Sequence, residues 1–296
     1  MEKTSCKNVL IFLVKIILFS IVYFIVGKFG LSLAFFNSSA SPIWPASGLV
    51  VVVLLLFGYR MWPAFLIGAF FVNWTTTWNI ATSIAIAVGN TLEGLFIVFL
   101  IDNMIKGKKV FDSPDTILKF IFITICGNII SATIGITSLA IGNFANWASY
   151  ISLWFTWWIG NFIGVIIVVP LIISWYTPAK ISSGNIIEKV LAVLSIIAVG
   201  ILVFTPWSKL AIEKFPLTFL CIIPILWVSI RFGQRLTTLS ILILAIISIY
   251  STINGYGPFL RNSINDSLVL LQLYIGVMGI TGLILSSISI KKFKGK

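Results

Sequence analysis

The chain has few side chains able to do chemistry, and most of them lie in apolar surroundings. Histidine is absent from its 296 residues. That removes the usual base near neutral pH, a phosphoacceptor histidine and the imidazole ligand of haem or zinc. Cys6, Cys126 and Cys221 are scattered. Their number and spacing match neither a disulfide framework nor a metal site. No nucleophile and base stand at a recognisable spacing, so no catalytic residue, metal or cofactor is expected. What remains is one carboxylate inside an apolar run, Glu93, one cation inside another, Lys15, and three Gly-Asn dipeptides, Gly89-Asn90, Gly127-Asn128 and Gly160-Asn161.

Each of these Asn residues lies ten or eleven positions from the start of its apolar run, about 16 Å at 1.5 Å per residue. All three therefore sit near the middle of a span, at one depth. A Gly admits a neighbouring backbone, and an Asn in hydrocarbon seeks a partner across the interface. The dipeptides then either glue helices together or line a polar midplane cavity; both require the three helices to be neighbours. Glu93 is eight residues from Ile101 and Lys15 six from Val9, the ends of their runs on one side. Ionisable groups at such depth pair, line water or serve a pathway. Three arrangements suit them: a Glu93–Lys15 pair, a protonated Glu93, or a Glu93 bonded among Asn90, Asn128 and Asn161. Lys15 can also snorkel to the interface.

The elements that must position these residues are membrane helices. Hydrophobic residues make up 59% of the chain and charged residues 9%, with a mean hydropathy of +1.11. A soluble domain is about 25% charged, so lipid rather than water must solvate this surface. The fold class is all-α, a polytopic transmembrane helix bundle forming a single domain over 1–296. Six runs are long enough to span, since a span needs roughly 20 apolar residues: Val9 to Val26, Ile80 to Ile101, Ile117 to Ala140, Tyr150 to Trp175, Ile187 to Phe204 and Ser267 to Ile290. Leu236 to Ile253 adds another. Ile43 to Phe57, Met61 to Val72 and Leu217 to Ile230 are short, tilted or re-entrant. The count is eight to ten spans. The first run resembles a signal peptide in outline, but its length and the lack of a small-residue cleavage site mark it as a retained anchor.

With ten spans, one side of the connections holds Lys3, Lys7, Arg60, Lys106, Lys108, Lys109, Lys119, Lys180, Lys189, Arg231, Arg235, Lys291, Lys292, Lys294 and Lys296. The other holds Lys28, Lys209, Lys214 and Arg261. Cytoplasmic connections carry the Lys/Arg excess, which places both termini in the cytoplasm of a bacterial-type cell membrane. The basic residues form no stripe on a polar helix face, which argues against nucleic acid.

Trp44, Trp74, Trp78, Trp147, Trp154 and Trp207 fall toward the outer ends and read as an aromatic belt. The outer connections Ile43 to Pro45, Asn73 to Asn79 and Gly142 to Ser149 combine Trp and Asn with almost no charge. They are expected to roof a ligand-facing surface suited to an uncharged or weakly polar molecule, with Trp44 and Pro45 at its edge. Phe57-Gly58-Tyr59-Arg60 and Phe232-Gly233-Gln234-Arg235 are two similar turns. They are either independent helix caps or the trace of an internal repeat.

Several motifs in order resemble the first class of membrane-associated sensor (MASE) domains. They are Ile43-Trp44-Pro45-Ala46-Ser47-Gly48, then Phe57-Gly58-Tyr59-Arg60-Met61-Trp62-Pro63, Gly89-Asn90-Thr91-Leu92-Glu93, Trp157-Trp158-Ile159-Gly160-Asn161, and Arg231-Phe232-Gly233-Gln234-Arg235 with Gly255-Tyr256-Gly257-Pro258-Phe259. The resemblance covers nearly the whole chain. It implies a bacterial-type membrane sensory module, usually fused at its cytoplasmic C-terminus to a histidine kinase, a diguanylate cyclase or a phosphodiesterase. The sequence departs from that pattern by ending at Lys296 without an output domain, and by placing Asn161 where the family often has Asp. A stand-alone module is therefore expected. It would bind a small ligand through Trp44, Pro45, Asn90, Glu93, Asn128, Asn161 and Lys15, and signal to a separate kinase or cyclase output protein. Its other partners would be the lipid bilayer and a second copy of the chain. The alternative is a transporter or channel for a small solute, suggested by the midplane Asn set, Glu93, the short spans and the Pro-interrupted segments around Pro45 and Pro170.

Overall fold

The computed structural model describes residues 2–34, 41–105, 107–178, 184–206 and 217–294. Every apolar run becomes a helix: α1 (Glu2–Ser32), α2 (Pro45–Phe57), α3 (Trp62–Thr77), α4 (Ile80–Met104), α5 (Pro114–Ile141), α6 (Tyr150–Tyr176), α7 (Ile186–Phe204), α8 (Ile222–Phe232), α9 (Gln234–Ile253) and α10 (Ile264–Lys294). Seven contain stretches long and apolar enough to cross a membrane. The exceptions are α2, α3 and α8, of 13, 16 and 11 residues, which are the three runs read as short. Helix starts carry the expected chemistry. The side chains of Asn79 and Asn185 accept from the amides of Thr82 and Glu188 at 2.9 and 2.8 Å. Ser113 and Thr116 form a capping box ahead of α5. Each satisfies backbone donors that hydrocarbon cannot.

The two similar turns belong to a repeat. In the first part of the chain α1 packs on α2 and α3, and α4 packs on α2 and α3; in the last part α7 packs on α8 and α9, and α10 packs on α8 and α9. Gly58 and Gly233, which join the short helix of each set to the next, share one unusual backbone conformation, φ 87° and ψ 168° against φ 77° and ψ −168°. Close contacts recur around them. A Cβ on Gly94 of α4 would meet Val50, and one on Gly282 of α10 would meet Thr237 and Ile241 and, at 3.5 Å, Ile225; Val50 and Ile225 each stand eight residues before the turn glycine. Gly27 of α1 faces Val72 and Gly200 of α7 faces Ile247, each fourteen residues after it.

Helices α5 and α6 join the two sets, α5 packing on α4 and α6, and α6 on α2, α9 and α10. The sets differ in burial as a result. Covered by α6, the Val50 to Leu54 stretch of α2 is at most 3% exposed, whereas Ile223 and Ile230 of α8 are 62% and 54% exposed. A run of hydrophobic residues thus means core in α2 and a lipid-facing surface in α8.

A φ near +80° with ψ near 180° is open to glycine and strained for other residues. Nothing lies within 4 Å of where a Cβ on Gly58 would stand, so substitution there is conformationally rather than sterically costly. Gly58→Ala and Gly233→Ala should each lower stability by about 1–3 kcal/mol, read as apparent melting temperature in detergent. A neutral Gly58→Ala would contradict the conformation assigned to the turn.

Candidate functional site

The site is organised by backbone that leaves the helices deep in the bundle. After α1 the chain returns through Ser41 to Trp44, and the Trp44 amide donates to the Gly160 carbonyl at 3.0 Å. Gly160 is ten residues into α6, about 15 Å along its axis, so α2 starts near mid-depth and not at the membrane surface. Irregular backbone is tolerated there because protein surrounds it. Gln272 of α10 donates from Nε2 to the carbonyls of Ser41 and Thr156, at 3.3 and 3.2 Å. The slot also depends on small residues. A Cβ on Gly164 would lie 2.0 Å from the Trp44 carbonyl oxygen, and one on Gly30 would lie 2.9 Å from the Trp44 ring.

Above the start of α2 is a cavity of about 160 Å³. Its wall includes the indoles of Trp44 and Trp157 and the polar side chains of Asn73, Thr76, Asn90 and Asn161. Leu139 and Phe144, near the end of α5 and in the loop beyond, line it too. The cavity thus runs from the end of the bundle opposite the termini down to mid-depth. No Asp, Glu, Lys or Arg is among its described lining residues. Lys28 of α1 reaches the wall indirectly, donating to Thr76 Oγ1 at 2.8 Å.

Beneath the cavity lies a buried polar network drawn from four helices. Asn90 of α4 donates from Nδ2 to Tyr23 Oη of α1 at 3.1 Å, and its Oδ1 accepts from Ser131 Oγ of α5 at 2.5 Å. Asn161 of α6 donates from Nδ2 to Glu93 Oε2 at 2.7 Å and to Ser131 Oγ at 3.2 Å. The indole N–H of Trp157 also points at Ser131 Oγ, 3.3 Å away. Tyr23, Asn90, Glu93, Ser131 and Asn161 are each at most 3% exposed. Ser131 is the hub, because a hydroxyl donates once and accepts twice.

The structure brings together Trp44, Asn90, Glu93 and Asn161, with Pro45 opening α2 beside them. The three proposed outer connections do converge, contributing Trp44, Asn73, Thr76, Thr77 and Phe144 to one cavity. Asn128 is fully buried, but neither its Nδ2 nor its Oδ1 has a hydrogen-bond partner among the described residues.

Lys15 is not in the site. Its Nζ lies 5.4 Å from the centroid of the Phe57 ring, in a separate cavity with Asn8 and Arg60 at the end of the bundle that carries the N-terminus. Nor do the two share a level: Gly94, next to Glu93, packs on Val50, whereas the Lys15 ammonium lies over Phe57, further along α2 by about 10 Å at 1.5 Å per residue. Packing turns α1 toward α2 and α3, and Glu93 takes an amide partner instead. Trp44 also departs from the aromatic belt and enters the cavity wall, whereas Trp78 and Trp147 are 72% and 59% exposed and suit the belt. Trp207 lies outside the described residues.

Sequence reasoning missed Tyr23, Ser131 and Trp157. The last two carried a usable signal. Ser131 is three residues after Asn128, and Trp157 is four before Asn161, so each shares a helix face with a residue already singled out. Tyr23 offered no such signal within its long apolar run.

A buried network and an uncharged cavity inside a bundle of apolar helices define a multi-pass helical membrane protein with a polar interior site. A family model, MASE1, matches residues 16–291, and the chain belongs to the MASE1 family of membrane-associated sensory domains, which is not a family of enzymes. No curated protein and no solved structure matches the chain.

The network separates shape from charge at Glu93. Glu93→Gln keeps an acceptor for Asn161 and should melt close to the parent protein. Glu93→Ala leaves a buried amide without its partner and should cost about 1–3 kcal/mol. Combined with Lys15→Met, Glu93→Gln should show additive effects within about 0.5 kcal/mol; a larger coupling would place the ammonium and the carboxyl in contact after all.

Proposed function

We propose that the chain is a sensory module that binds a small, uncharged, partly polar molecule in the cavity between Trp44, Trp157, Asn73 and Asn161, and passes the change to a separate cytoplasmic kinase or cyclase. The observation that carries this reading is the uncharged cavity ending on the start of α2. An occupant can stack on the two indoles and bond to the carboxamides, with no fixed charge to neutralise. Drug-sized ligands occupy sites of about 300 Å³ or more, and about 160 Å³ suits something smaller.

The signal route follows from the broken helix. A ligand shifts an equilibrium only through unequal affinity for two states. Trp44 belongs both to the cavity wall and to the entry of α2, so states that differ in the seating of α2 differ in the cavity. Helix α2 is 13 residues long and ends at the Phe57–Arg60 turn, at the basic end of the bundle. The fifteen-to-four division of Lys and Arg supports placing that end, and both termini, in the cytoplasm.

Transport is the second reading, and a specific feature favours it. Short helices starting near mid-depth within a repeated bundle are how many transporters build their sites.

Three measurements separate these outcomes. A small neutral compound that raises the melting temperature of the purified protein should lose most of its effect on Trp44→Ala and Asn161→Leu, with both variants still folded; full retention would move the ligand elsewhere. Proteoliposomes should show no flux of that compound, and saturable flux would establish transport instead. A reporter active only in the periplasm should stay silent when fused at Lys296, whereas strong activity would invert the topology.

A further inference from the structure

The two repeated turns put their arginines to different uses. Arg235 is committed to the fold. Its Nε donates to the Ser174 carbonyl at 3.0 Å and its NH2 to the Thr177 carbonyl at 2.6 Å, and its guanidinium lies over the Trp175 ring at 5.8 Å. It thereby closes the C-terminal end of α6, where free carbonyls favour a cation. Arg60, at the same place in the first repeat, has no hydrogen bond or ion pair among the described residues. The carboxylate that reaches its turn, Asp102, accepts instead from the Tyr59 hydroxyl at 2.7 Å.

Arg60 shares a cavity of about 160 Å³ with Lys15, Asn8, Phe12, Phe57 and Met61. Lys15 also makes no ion pair among the described residues and rests on the face of Phe57, an arrangement that orients a cation without neutralising it. No carboxylate lines this cavity among the described residues. Among the described residues, two cations and an amide therefore converge on one space with no counter-charge. The cavity also continues onto lipid-facing surface. Ile11, which lines it, is followed on the same face of α1 by Val14 and Leu18, and the three are 44%, 55% and 53% exposed.

We propose that this cavity holds the headgroup phosphate of an anionic phospholipid, clamped between Lys15 and Arg60 with the acyl chains lying along Ile11, Val14 and Leu18. A free phosphate would use the cations but not the apolar track, so the shape favours a lipid. Basic pockets between transmembrane helices are known to take such headgroups. The site is distinct from the cavity at Trp44 and does not depend on what that cavity binds. It does touch the Phe57–Arg60 turn at the end of α2, so lipid bound here holds the turn through which α2 would signal.

The test uses the full chain purified in detergent and mixed with defined lipid. Retention of phosphatidylglycerol over phosphatidylcholine, read by native mass spectrometry, should show about a 30-fold preference, as two basic side chains near the surface supply. Lys15→Gln with Arg60→Gln should remove most of that preference. Lys109→Gln with Lys119→Gln, which takes the same charge from the same end, should keep it, and so should Lys15→Arg with Arg60→Lys. Melting in phosphatidylcholine checks that each variant is folded, and the charge-conserving pair decides the matter if the Gln pair is not. Equal loss in both Gln pairs would reduce the effect to diffuse charge. Stabilisation by millimolar inorganic phosphate to the same extent as by phosphatidylglycerol would make this an ion site and overturn the lipid assignment.

Discussion

The bond from the Trp44 amide to the Gly160 carbonyl shapes the rest of the site. It holds non-helical chain at mid-depth, where water cannot satisfy a peptide group and each unmet one costs several kcal/mol. Much of the local architecture meets that demand. Gly164 and Gly30 leave room for the Trp44 backbone and ring, and Gln272 reaches from α10 to the Ser41 carbonyl. Because the segment descends so far, α2 is short, α6 can cover it, and a cavity remains above its start. An ordinary surface loop between α1 and α2 would have left none of these features.

Below that cavity the polar groups satisfy one another. Asn90, Ser131, Asn161 and Glu93 come from three helices and bond across all three of the interfaces between them. In a medium of low dielectric such a network is stable when complete and costly when broken. A perturbation that parts Asn161 from Glu93 therefore has a discrete cost, which suits a site with two arrangements better than one that deforms gradually. Asn128 stands outside this network, buried without a partner among the described residues.

The repeat explains why one half of the molecule holds the site. Both halves use the same order of helix packing and the same glycine turn, so the scaffold does not distinguish them. Side chains do. Aligning Gly94 with Gly282 sets Met278 opposite Asn90 and Thr281 opposite Glu93, and α6 covers α2 but leaves much of α8 to lipid. The second half thus serves as an apolar counterpart, and its arginine closes a helix end that the first half's does not.

Helices, their lengths and their lipid environment follow from the sequence alone, because in hydrocarbon an apolar run has almost no alternative to a helix that bonds its own backbone. The short runs at Ile43 and Leu217, the turn glycines and the common depth of Asn90, Asn128 and Asn161 were legible for the same reason: they are one-dimensional properties. The facing of side chains was not. Counting from the span ends put Lys15 and Glu93 at one depth, yet the packed helices set the lysine beside Phe57 at the far end of α2 and leave Glu93 with Asn161, next to Gly94 and its contact with Val50. Trp44 looked like an interfacial anchor because sequence position cannot reveal that its segment dips inward. Tyr23 and Ser131 joined the network through partners 67 and 41 residues away. Periodicity specifies which face of a helix a residue occupies, but only the packed bundle decides what that face meets.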